Sequence, residues 1–171
     1  METQVESYYQ KLADLIVAMI PEEWTELKFY AQEDSEGAQK FFFYYRSLGT
    51  GEWVYNMAIT EKFQFPEEDF DELICELSFC ISDFKTDYQE EFGEVWTSFQ
   101  LTLTDSGKFK LNFNYDENPL GPGKTQTIWE YEHLDLVPED GSVDKEFLDE
   151  YLEEKAQGKR YPFLEPVKEE Q

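Results

Sequence analysis

The chain has 171 residues, 40% hydrophobic and 18% aromatic, enough for one domain with its own core and too aromatic for an acidic disordered chain. Thirty-nine Asp and Glu against fourteen Lys and Arg leave a formal charge of −25. A field of that sign argues against direct nucleic-acid binding and against anionic membranes, and it attracts cations and basic proteins; it also keeps an aromatic-rich chain in solution.

Residues 3–20 are predicted to form a helix. Tyr8, Leu12, Leu15, Ile16 and Met19 recur at spacings of three and four and make one apolar stripe. Pro21 ends it, because the residue before proline avoids helical dihedrals. From Trp24 the period becomes two, with Leu27, Phe29 and Ala31 alternating with Lys28, Tyr30 and Gln32. After the turn EDSEGA comes KFFFYYRS, aromatic on both faces and therefore expected to be a central strand covered on both sides. After LGTGE, the stretch WVYNMAI predicts a third strand with Trp53, Tyr55, Met57 and Ile59 on one face. Short glycine-bearing loops join the three as an antiparallel meander.

Pro66 opens the longest predicted helix, residues 66–91. Glu67, Glu68 and Asp69 sit at the positive end of its dipole, and Gly93 is placed to cap its other end. Its apolar stripe is Phe70, Leu73, Ile74, Leu77, Ile81, Phe84 and Tyr88. Cys75 and Cys80, five apart on this helix, match no zinc spacing and point in different directions; both are expected to be buried, reduced thiols.

WTSFQLTLT, DSG and KFKLNFNYD then predict a hairpin. Thr97, Phe99, Leu101 and Leu103 share one face and Trp96 and Ser98 the other, with Phe109, Leu111, Phe113 and Tyr115 pointing inward. ENPLGPGK reads as a loop, and TQTIWEYEHLDLVPED fits either a short helix or an extended segment. Ser142 is a candidate N-cap for a last helix carrying Val143, Phe147, Leu148, Tyr151 and Leu152. The predicted fold is α+β: an antiparallel sheet of about five strands, a three-strand meander plus a hairpin, with an N-terminal helix, a long central helix and a C-terminal helix packed around it. One domain is expected over residues 1–158, followed by a loosely held tail over 159–171.

No catalytic pattern stands out. His133 is the single histidine, and no nucleophile motif accompanies it. With thirty-nine carboxylates, some pair satisfies any spacing rule by chance. DENP (116–119) and PEDGSVDKE (138–146) lack the ligand ladder of a calcium loop, and GPGK (121–124) lacks the earlier glycine of a phosphate loop. No metal or other cofactor is implied. The opening METQVESYYQ has neither a basic nor an apolar signal region, and no apolar run reaches the length of a membrane span, so a cytoplasmic protein is expected.

Several stretches together carry a resemblance: MIPEEW (19–24) after a helix, FFFYY (41–45), FPEEDFDELICEL (65–77), VWTSFQLTLTDSGKFKLNFNYD (95–116) and IWEYEHLDLVPED (128–140). In order and spacing they resemble the YezG-like immunity proteins, small cytoplasmic antitoxins of LXG-type polymorphic toxins of type VII secretion systems. The resemblance covers roughly residues 5–155 and implies a non-enzymatic role, in which the chain binds and neutralises the C-terminal domain of a cognate toxin, typically a nuclease. A nuclease site must attract a polyanion, so an inhibitor of charge −25 would be steered to it. The alternative is a DNA-mimic-like inhibitor of another basic protein.

Interface centres favour Tyr and Trp while rims are charged, so acids beside exposed aromatics are the candidate contacts. They are Tyr115, Asp116 and Glu117 in NYDENP, and Trp129, Glu130, Tyr131 and Glu132 in WEYEHLD. Trp24 is expected to pack at a helix–strand corner fixed by Pro21, which turns Glu22 and Glu23 outward as rim contacts.

Overall fold

The computed structural model describes residues 4–167, and the chain divides into two compact units, residues 1–116 and 117–171. The first unit begins with α1 (Gln4–Ala18), β1 (Trp24–Glu33), β2 (Gln39–Ser47) and β3 (Trp53–Tyr55). The short α2 (Ile59–Lys62), the long α3 (Glu67–Phe92), β4 (Ser98–Thr104) and β5 (Phe109–Asn114) follow. The five strands form one sheet in the order β3-β2-β1-β4-β5, and every neighbouring pair is antiparallel. Phe29 of β1 lies opposite Phe43 on β2 and Leu101 on β4, so three strands deliver apolar side chains to the same face. Both helices pack on that face, and the shared core includes Leu12, Ile16, Leu27, Phe29, Leu77, Ile81 and Phe84. On the opposite face of β1 and β2, Tyr30, Phe42 and Tyr44 are also buried, at most 4% exposed.

At about 1.5 Å per residue, the 26 residues of α3 run some 39 Å, long enough to cross the whole sheet. Pro66 caps its start, and Gly93 ends it at φ 74°, a conformation that costs a residue with a Cβ and leaves glycine unstrained. The core gathers around Phe84, a fully buried ring within 5.3–6.1 Å of the rings of Tyr8, Tyr9, Tyr88, Trp96, Phe99 and Phe113.

Four local expectations are corrected. The third strand stops at Tyr55, because the Asn56 side chain accepts the Phe43 N–H at 3.0 Å and so takes the place of the next ladder carbonyl. The chain then coils through Asn56–Ala58 into α2, which leaves Met57 62% exposed and Ile59 buried. Trp96, predicted on the face opposite Phe99, is fully buried in the same core: it precedes the first residue of β4, so strand alternation does not govern it, and its ring lies 4.9 Å from Phe99. Tyr115, predicted inward, follows the last residue of β5 and is 45% exposed. Cys75 is exposed and only Cys80 is buried, where desolvation pushes its thiol up to about 11. Since the thiolate is the reacting form, a soluble thiol reagent should label Cys75 alone in the native protein and Cys80 only after denaturation. Equal labelling rates at the two sites in native buffer would contradict this packing.

The second unit holds α4 (Pro122–Leu134) and α5 (Val143–Ala156). The ambiguous segment is therefore helical as far as Leu134, and Pro122, taken for loop, is the first residue of α4, where its missing N–H has no partner to lose. Ser142 caps α5 by accepting the Lys145 N–H at 3.1 Å. Lys124 bonds Glu154 at 2.8 Å, and the Tyr161 hydroxyl donates to the same carboxylate at 2.5 Å. These bonds, Lys124 first, hold the Glu154 carboxyl below the usual range. Tyr161 and Leu164, which lie within the tail predicted from 159, are buried, while residues 168–171 of that tail fall outside the described residues. No helix among the described residues is long and apolar enough to cross a membrane.

Candidate partner-binding site

The last turns of α3 break a rule that its first turn obeys. A helix C-terminus carries partial negative charge and favours cations, yet the last turn of α3 contains no basic residue and carries Glu90 and Glu91, with Glu94 just beyond. All three are exposed, so their mutual repulsion is relieved only by solvent and salt. Beside them, two large aromatics reach water: Phe92 is 52% and Tyr115 45% exposed.

These aromatics are held, not loose. Phe92 leans on Tyr88 at 4.6 Å, Tyr88 lies 5.1 Å from Phe113 of β5, and the Tyr88 and Tyr115 hydroxyls share a 2.5 Å hydrogen bond. Burial and then the bond to Tyr115 push the Tyr88 phenol up, with Glu94 acting the same way, so Tyr88 stays neutral throughout the physiological range. Tyr9 of α1 is likewise pushed up, by burial first and then by Glu6 and Glu91. The backbone beyond β5 is pinned, because the Asp116 carbonyl accepts from Thr97 Oγ1 at 2.6 Å and from Asn114 Nδ2 at 2.9 Å. The result is an aromatic step held in place, with Glu91 and Glu94 acting on its tyrosines, Asp116 next to Tyr115, and Glu90 exposed at the same helix end. Chemically it can receive a basic protein surface.

Tyr115 and Asp116 are thus brought together with residues 21–28 positions earlier in the chain. Glu117 is exposed and belongs to the second unit. The other predicted residues are placed differently. Trp129 is fully buried in α4, stacked on His133 at 4.3 Å, and cannot serve as an exposed anchor. Glu132 accepts from the Tyr151 hydroxyl and from Lys155 at 2.8 Å, so its charge is already matched within its own unit. Glu130 and Tyr131 are half-buried. Trp24 packs against the core as expected. Glu22 does not turn outward: it accepts from Tyr45 Oη at 2.6 Å and Ser47 Oγ at 2.8 Å, tying the corner to β2. Glu23 is exposed. Sequence reasoning missed Glu90, Glu91, Phe92 and Glu94, although acids with no Lys or Arg at the end of a long helix are a readable signal.

The family model described as "Immunity protein YezG-like" matches residues 5–149. The chain belongs to the YezG-like immunity family. Within that family it is 31% identical to "Immunity protein YezG" of Bacillus spizizenii (strain ATCC 23059 / NRRL B-14472 / W23) over 147 residues, 84% of this chain and 90% of that protein. It is 31% identical to the protein of the same name from Bacillus subtilis (strain 168), over 151 residues, 86% of this chain and 99% of that protein. A third relative, "Type VII secretion system protein EsaG" of Staphylococcus aureus (strain NCTC 8325 / PS 47), is 27% identical over 141 residues, 81% of this chain and 86% of that protein. The YezG-like match takes in nearly all of α1 and the first half of α5, so it reaches into both units.

Proposed function

We propose that this YezG-like chain is a cytoplasmic antitoxin, which binds the C-terminal domain of a secreted LXG-type toxin and keeps it inactive inside the producing cell. The observation that carries this reading is the family membership, with relatives named for immunity and for type VII secretion. The toxin domain is a nuclease in this reading. A nuclease presents a basic groove to its polyanionic substrate, and a surface of charge −25 competes for that groove. Inhibition is by contact, without turnover: the aromatic step supplies the apolar centre of the interface and the acids around it supply steering.

The test is co-expression with the C-terminal domain of the secreted protein encoded beside this chain's gene. A stable co-purifying complex in which DNA or RNA cleavage stops is expected. A toxin domain that stays fully active in excess antitoxin would overturn the reading, and inhibition of an unrelated basic protein instead would favour the DNA-mimic alternative.

A further inference from the structure

The sheet has two edges, and they differ. β3 is three residues long and passes at once into a turn, which blunts it. β5 is six residues long, straight through its pairing with β4, and nothing among the described residues pairs with its other side. The phase of the ladder is set by the Thr104 N–H, which donates to the Lys108 carbonyl at 3.0 Å. By alternation, the even residues of β5 face β4, and the N–H and C=O groups of Phe109, Leu111 and Phe113 point out of the sheet.

At the Phe109 end of this edge lies an open groove of about 810 Å³ between α1 and the β4–β5 turn. Its walls include Tyr9, Ala13 and Val17 of α1 together with Phe109, and its polar groups include Glu6 and Asp14. Within that lining Tyr9 and Phe109 stack at 5.8 Å.

We infer that β5 receives an extended segment of a cationic partner as a sixth strand, with alternate side chains of that segment seated in the α1 groove. This rests on the antitoxin reading and names the way the toxin is held. The edge supplies three residues' worth of unpaired donors and acceptors, and the groove supplies apolar walls rimmed with carboxylates. The fitting segment therefore alternates: apolar or basic residues toward α1, and uncharged or acidic residues toward Lys108 and Lys110 on the opposite face. A second copy of this chain is the wrong occupant, because two bodies of charge −25 repel and each would bring acids to an acidic groove.

Amide-resolved hydrogen exchange on the free chain and on its complex with the toxin's C-terminal domain tests this. In the free chain the Phe109, Leu111 and Phe113 amides should exchange freely while those of Lys110 and Asn112 are protected. In the complex the three outward amides should slow by about 100-fold or more. Leu111→Pro removes one outward donor and leaves the β4 ladder intact; it should weaken the complex at least about tenfold relative to Leu111→Ala, which keeps the donor. A stable, inhibited complex whose outward amides still exchange freely overturns strand addition while leaving the antitoxin reading standing. Absence of any complex overturns both. Protection that appears in the free chain and grows with its concentration assigns the edge to a second copy and overturns the proposal.

Discussion

Changing Glu90, Glu91, Glu94 and Asp116 together to their amides is expected to weaken the complex with the toxin's C-terminal domain by about 30- to 100-fold. Each is an exposed carboxylate, and an exposed ion pair contributes about 0.2–1 kcal/mol; four of them acting on one basic surface reach about 2–3 kcal/mol. The loss should fall mainly on the association rate, since charge at the rim steers encounter over a Debye length of about 10 Å at 0.1 M salt. The wild-type affinity should therefore drop steeply as salt rises, and that of the variant should drop less. Fold stability should hold or rise slightly, because the amides remove negative charge from the wrong end of the α3 dipole. Binding measured at two ionic strengths checks this: equal affinity and equal salt slopes for both proteins would remove the step from the interface. Glu132 and Glu22 serve as controls of a different kind. Each already accepts hydrogen bonds within the chain, so Glu132→Gln and Glu22→Gln should lower stability more than affinity.

The largest loss of stability is expected from Phe84→Ala, about 3–5 kcal/mol, a large share of the 5–15 kcal/mol that holds a typical domain folded. The ring is fully buried, and six other aromatic rings surround it from α1, α3, β4, β5 and the segment before β4. No single neighbour can close the gap, because each is itself held by others: Tyr8 by its bond to Asp87 at 2.5 Å, and Tyr88 by Tyr115. Phe79, five residues earlier on the same helix, is 72% exposed, and its replacement by Ala should change stability by no more than about 0.5 kcal/mol. Denaturant unfolding of the two variants decides it. Similar midpoints for Phe84→Ala and wild type would mean that the core is not organised around this ring.

Much of the scaffold was legible from periodicity. The 3.6-residue stripe of α1, the alternation in β1 and β5, the Pro66 start and Gly93 end of α3, and the Ser142 cap are all set by residues within a few positions of one another. The reading failed where a long-range partner overrides the local pattern. Asn56 ends β3 early because Phe43 lies across the sheet, and Trp96 leaves its face because Phe84 and Phe99 take its ring.

The same division holds for the candidate site. Composition by itself determined that the surface is negative, since charges at such excess cannot be neutralised internally whatever the fold. Which carboxylates remain available was decided by tertiary structure alone. Glu22 is engaged by Tyr45, Glu33 by Ser82 at 2.5 Å, Glu132 by Tyr151 and Glu154 by Lys124, from 19 to 49 residues away along the chain. A carboxylate accepts a hydrogen bond only from a donor the fold brings within about 3 Å, and no local spacing encodes that approach.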